Sequence, residues 1–135
     1  MVVSNRATPG GVLDATLEST PDPVAALEQV VALLGEHLAA SGFSEGCPVA
    51  TIALDAATTS EPIRTACVGA YDSWHEAIAR HLAAAGHSDA EDPATVVLAA
   101  IEGALVLART RRALGPLHAV SGRLRGLLAS GRSES

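Results

Sequence analysis

A single carboxylate, Glu102, interrupts the most apolar stretch of this chain, and its position demands a chemical explanation. It is the only charged residue between Ala94 and Ala108. A buried, ionised carboxylate without a partner costs too much free energy to persist, so the group must be paired, protonated or facing a wetted cavity. His75 and Arg109 are the candidate partners. Two interpretations follow, a structural ion pair and the polar point of a ligand pocket.

Two amphipathic rings, Tyr71 and Trp74, lie three positions apart in a helical pattern. Each has an apolar body and a polar tip that needs a hydrogen bond when buried, which suits a pocket wall as well as a core. The predicted ligand-binding residues are Tyr71, Trp74, His75, Ile78, Glu102 and Leu105. A second class of function, a small helical enzyme or a ligand scavenger, would use His75 and Glu102 as an acid–base pair.

The sequence predicts neither a metal site nor a cofactor. No two of its five histidines have the spacing that places two ligands on one helical face, and phosphate-binding and dinucleotide glycine motifs are absent. Cys47 immediately precedes Pro48 at the start of a predicted helix, where the helix dipole favours a thiolate. Because unpaired cysteines are usually buried, we favour a structural role for Cys47.

Composition predicts an all-α protein with one domain. The chain has 135 residues, 48% of them hydrophobic and 2% aromatic, and alanine, leucine and valine dominate. The net charge of −6 is the opposite of what a phosphate backbone attracts, so we expect no direct DNA binding. The absence of a signal-peptide pattern indicates a cytoplasmic protein. The uncharged apolar run is shorter than a membrane span, so we expect no membrane partner.

Helical periodicity and capping residues divide the chain into six helices. Asp22 and Ser60 are predicted N-caps, Gly42 and Gly86 are predicted helix stops, and the short helix from Pro48 is expected to be mostly buried. The expected organisation is a disordered leader over 1–11, a helical domain over 12–130 and a flexible tail over 131–135.

The helix from Pro93 to Arg112 is apolar on all sides, so every face must be covered. Gly103 costs about 1 kcal/mol relative to Ala in a helix, which suggests close approach of another backbone. We therefore expect the last two helices to pair with their copies in a dimeric four-helix bundle. Close packing within one chain is the alternative. The predicted interface residues are Ala100, Gly103, Ala104, Leu107, Leu117, Val120 and Leu124.

Three segments carry a family resemblance that covers about Val12 to Leu128. They are GFSEGCPVATIALDAA, SEPIRTACVGAYDSWHEAIARHLAAAG and VLAAIEGALVLARTRRALGPLHAV. Together they resemble the C-terminal domain of TetR-family regulators, in the LmrA/YxaF-like subgroup. The resemblance implies a helical domain that binds a hydrophobic small-molecule effector and forms a homodimer through its last two helices. It therefore implies part of a ligand-gated transcriptional repressor.

The same family places a helix-turn-helix before this domain, and that segment is not found here. Eleven leader residues cannot hold three helices, so we expect the DNA-reading part to be missing from this chain, by truncation, a misjudged start or natural loss. Operator DNA would then be a partner only through a helix-turn-helix encoded upstream.

Overall fold

The computed structural model describes residues 9–129, and its regular elements over that range are six α-helices. The all-α expectation is confirmed. Residues 9–11, which the predicted leader included, belong to the first helix. Positions 1–8 and the predicted tail lie outside the described residues. The helices are α1 (Pro9–Ser19), α2 (Pro23–Ala40), α3 (Pro48–Ala56), α4 (Glu61–Ala84), α5 (Glu91–Arg111) and α6 (Gly115–Ala129).

The helix ends follow from side chains that satisfy free backbone groups. The Asp22 carboxylate accepts a hydrogen bond of 2.9 Å from the Ala25 amide, and the Ser60 hydroxyl accepts one of 3.4 Å from the Ile63 amide. After α2 the backbone turns through two left-handed residues, Gly42 at φ +67° and Phe43 at φ +63°. This turn leads the chain into the loop that precedes α3.

Helix α5 lies at the centre of the bundle and packs against α4, α6 and α2. It begins at Glu91, two residues before the predicted start at Pro93, and ends in the left-handed residue Arg112. One stripe of small and branched side chains faces the core, at the three-to-four spacing of a helix surface. These buried residues are Ala94, Val97, Ile101, Ala104, Leu105 and Ala108.

The opposite side of α5 is open in the single chain. Val96, Val106 and Leu107 each expose nearly half of their surface. Over residues 9–129, α5 is the one helix that is long and apolar enough to cross a membrane. The uncharged run alone was too short for a span, but the length of the whole helix does not exclude one. A core helix of a globular protein passes the same test.

Helix α3 corrects one expectation, because none of its residues is buried. Ile52 is 48% exposed and Leu54 is 80% exposed. The helix is apolar around much of its circumference, but within one chain its neighbour is α4, so a single face is covered. The apolar composition of α3 predicted that its side chains would be buried, but burial depends on how many elements pack against the helix.

Candidate functional site

A cavity of about 520 Å³ opens between α5 and the segment that joins α2 to α3. The α5 side is formed by a run of residues from Glu102 to the end of the helix, and the facing side by the loop after α2 and the first turns of α3. Its lining mixes apolar side chains with polar ones, and two arginines are among the polar residues. The lining residues used below are Phe43, Cys47, Ala50, Glu102, Leu105, Val106, Arg109 and Arg112.

Glu102 is the acidic residue of this cavity. Its Oε2 atom is buried and has no hydrogen-bond partner. Burial raises the pKa of the Glu102 carboxyl, and an interaction with the Cys47 thiol opposes this rise without overcoming it. Among the described residues Glu102 forms no ion pair with His75 or Arg109. Its neighbour is therefore a thiol, and the ion-pair interpretation is not supported.

Cys47 occupies the N-cap position of α3 and is 4% exposed. Burial raises the pKa of its thiol to about 11, the Glu102 carboxylate raises it further, and the amides of Ala50 and Val49 act in the opposite direction. The rise in pKa caused by desolvation thus outweighs the lowering caused by the amides at the start of α3, and Cys47 is a thiol at neutral pH. This agrees with a structural cysteine rather than a reactive one.

Tyr71 and Trp74 lie on α4 and do not line the Glu102 cavity. Their rings meet edge to face with centroids 5.5 Å apart. Burial raises the pKa of the Tyr71 phenol to about 12, with a smaller contribution from the Glu102 charge, so Tyr71 lies within electrostatic reach of the cavity. Trp74 faces α1 instead, where a Cβ placed on Gly10 would lie 2.7 Å from the indole Nε1.

His75 and Ile78 are also separate from the cavity. The Nε2 atom of His75 lies 2.9 Å from the Glu91 carbonyl oxygen and 3.5 Å from its carboxylate, at the first turn of α5. Glu102 follows eleven residues later, about 16 Å along the helix axis. Ile78 is 1% exposed in the core. The structure therefore brings together Glu102 and Leu105 from the predicted set and gives no support to a His75–Glu102 acid–base pair.

The predicted interface residues separate into two groups. Ala104, Leu117 and Leu124 are buried inside the single chain, because they fill the seam between α5, α6 and α2. Gly103 and Leu107 are exposed, and Ala100 and Val120 are half-buried. A Cβ on Gly103 would meet no atom within 4 Å, so packing inside the chain does not require a glycine there.

The residues on the loop side of the cavity were not among the predicted ligand contacts. Phe43, Ala50 and Arg112 line it, together with the predicted partner Arg109. A helical wheel identifies residues on one face of one element, but it cannot show which loop crosses that face. The sequence did contain one signal for this loop. The end of one helix at Gly42 and the start of the next over Gly46–Pro48 predicted a short connection, which had to pass near another helix.

Comparison with known proteins gives consistent matches. A family described as transcriptional regulator LmrA/YxaF-like, C-terminal domain, matches residues 23–123. The HTH-type transcriptional regulator LmrA of Bacillus subtilis is 32% identical over 114 residues, which are 83% of this chain and 61% of LmrA. The uncharacterized HTH-type regulator YxaF of the same organism is 28% identical over 78% of this chain and 56% of its own length. A Mycobacterium tuberculosis regulator is 29% identical over 76% of this chain and 56% of its length. The chain thus spans less than two thirds of these relatives.

Proposed function

Because this chain belongs to the LmrA/YxaF-like family of TetR-type regulator C-terminal domains, we propose that it senses a small molecule in the Glu102 cavity and reports occupancy to a homodimer interface. The observation that carries the proposal is the position of Glu102 and Gly103 on α5. Successive helical residues point about 100° apart, so one side of α5 forms the cavity wall while the next remains open.

The cavity has the character of a small-molecule site. It is concave, its walls include Phe43, Leu105 and Val106, and it holds a polar atom of Glu102 without a partner. Mostly apolar walls with a few converging polar groups are typical of ligand pockets. The proposed ligand contacts are therefore Glu102, Leu105 and the loop residues. Tyr71 lies on α4 within electrostatic reach of Glu102 but outside the cavity, while Trp74, His75 and Ile78 maintain the surrounding fold.

The open side of α5 is the proposed dimer surface. It carries Val96, Ala99, Gly103 and Leu107, with Ala100 and Val120 at its edge. The outer side of α6 adds the exposed small residues Ala119, Gly122 and Gly126, where an added Cβ on either glycine would meet nothing within 4 Å. Small residues let two helices approach closely, as a four-helix bundle between two copies requires.

The wider role is regulation rather than catalysis. The matched relatives are transcriptional regulators, and within residues 9–129 the candidate acid–base pair is not assembled. We propose a cytoplasmic regulatory domain that acts on transcription together with a DNA-binding helix-turn-helix, since the matched relatives are HTH-type regulators. Because the net charge of −6 disfavours binding to a phosphate backbone, these 135 residues alone should not retard operator DNA in a gel-shift assay, and a specific shift would contradict this expectation.

The test of ligand sensing is thermal unfolding with 2-naphthol as an apolar aromatic probe. A ligand that binds only the folded state stabilises it by about 2.7 kcal/mol at a hundredfold excess over its Kd. We expect 2-naphthol to raise the Tm of the wild-type chain and to have no effect on Ala50→Phe, which fills the cavity. Ala83→Phe, on the exposed side of α4, is the matched control and should respond like wild type. An equal response in Ala50→Phe would place binding elsewhere.

A further inference from the structure

The charges around the Glu102 cavity are unusual for an acidic chain. Arg109 and Arg112 both line it, and within the described part of the protein neither guanidinium forms an ion pair or a side-chain hydrogen bond. The nearest other acid of the loop, Glu45, lies 3.7 Å from His37 and is not a lining residue. The cavity therefore presents two guanidinium groups that form no ion pair with a carboxylate of residues 9–129.

The position of Arg109 is partly fixed by packing. A Cβ on Gly46 would lie 3.6 Å from the Arg109 Cδ, so the aliphatic stem of this arginine passes over the loop beside Cys47. Arginine often packs its stem on a surface while its head stays in water. The guanidinium is thereby kept at the edge of the cavity, where a planar anion could be bound by two parallel hydrogen bonds.

The opposite assignment would place a cationic amine on Glu102. The net charge of −6 and the unpartnered Oε2 atom favour it. However, two guanidinium groups line the cavity against this single carboxyl. Desolvation also disfavours the charged form of the carboxyl. The balance of charged groups around the cavity therefore favours an anion.

We infer, resting on the proposed function, that the effector is an organic anion with an apolar body, its acid group at Arg109 and Arg112 and a hydrogen-bond donor at the unpartnered Oε2 atom of Glu102. Arg109 follows Glu102 by seven residues, or two turns, so the two anchor points are about 10 Å apart along α5. Leu105 lies between them on the cavity wall. A rigid aromatic skeleton with an acid at one end and a hydroxyl group at the other matches this spacing.

The test compares three probes with one skeleton, 6-hydroxy-2-naphthoate, its neutral amide and its aminomethyl analogue, by titration calorimetry on the full chain. We expect the carboxylate to bind at least tenfold more tightly than the amide and the amine to bind most weakly. The advantage of the carboxylate should fall as salt is raised. It should disappear in Arg109→Gln/Arg112→Gln but persist in Arg80→Gln/Arg123→Gln, which removes the same charge outside this cavity.

Two kinds of failure are distinguishable. If the amide equals the carboxylate, or the amine binds most tightly, and Ala50→Phe abolishes that binding, the ligand site stands and the anion assignment is wrong. If none of the probes binds, or if Ala50→Phe leaves binding unchanged, the proposed function fails at this cavity and the anion assignment fails with it. Circular dichroism of each variant confirms that the helices are retained.

Discussion

The carboxyl of Glu102 faces the thiol of Cys47, and the same burial favours the protonated form of both groups. The two residues come from α5 and from the N-cap of α3, so their contact joins the central helix to the loop wall of the cavity. The Glu102 charge raises the pKa of the Cys47 thiol, whereas the thiol lowers the pKa of Glu102 by donating a hydrogen bond to it. The titration of both groups therefore depends on the folded position of the α3 N-cap beside Glu102.

The pH dependence of stability should report Glu102. Its folded-state pKa is raised, so its contribution to stability is fully present below the ordinary glutamate pKa and is lost as pH rises through the folded value. Glu102→Gln keeps the shape and removes the titration. We expect the free energy of unfolding of wild type to decrease more than that of Glu102→Gln between pH 4 and 8 in urea titrations. Parallel pH profiles for the two proteins would contradict a raised pKa.

The reactivity of Cys47 should be low. With a pKa of about 11 against an ordinary 9.0, the thiolate fraction at pH 8 is about a hundredfold smaller than that of a free cysteine. We expect alkylation by iodoacetamide in a Cys67→Ala background to be slower than that of a model thiol by at least this factor. The same protein in urea should react at the ordinary rate. Fast labelling of the folded chain would show that Cys47 is exposed or ionised.

Gly103→Leu should prevent dimer formation without unfolding the chain. Space for the new side chain is open within the single chain, so the fold should remain, whereas a leucine at the proposed interface would hold two copies of α5 apart. Sedimentation velocity should show a shift from dimer to monomer. Gly69→Leu is the matched control, because Gly69 is also an exposed helical glycine with open space around it, and it should leave the association state unchanged. A Gly103→Leu dimer would refute the interface.

Gly10→Ala should destabilise the packing of α1 on α4. The new methyl group would lie 2.7 Å from the Trp74 indole, and overpacking of this kind costs about 1–3 kcal/mol. The gain in helix propensity, about 1 kcal/mol at most, offsets part of it. We expect a lower Tm and a shift in tryptophan emission. Gly69→Ala has open space and should be neutral or stabilising. Emission from Trp74 is thus expected to report α1 docking rather than filling of the Glu102 cavity.

The helices were predictable because their start and stop signals are local. Asp22, Ser60 and Gly42 act on backbone groups within three or four residues, so their roles do not depend on the rest of the fold. The unusual environment of Glu102 was also predictable, since burial of a carboxylate costs free energy wherever it occurs. These inferences need no knowledge of how the helices are arranged.

The packing of the helices against one another could not be predicted from the sequence. Trp74 and Ile78 share a face with Tyr71, but α1 and the core cover them before any cavity can form. Leu117 and Leu124 follow the spacing expected of an interface, yet the same spacing suits a buried seam, and here they are buried within the chain. A periodic pattern states that a face is covered; it does not identify the neighbour that covers it.

The left-handed backbone conformation of Arg112 lowers the stability of the fold, while its side chain supplies a charge for ligand recognition. At φ +51° a side chain is strained, and a glycine at such a helix end is usually preferred. Arg112→Gly would therefore be a natural choice for anyone seeking a more heat-resistant protein, with a gain of about 1 kcal/mol. The same change would remove one of the two guanidinium groups that line the cavity. Thermostabilising this domain by standard backbone rules would then impair the sensor it was meant to preserve.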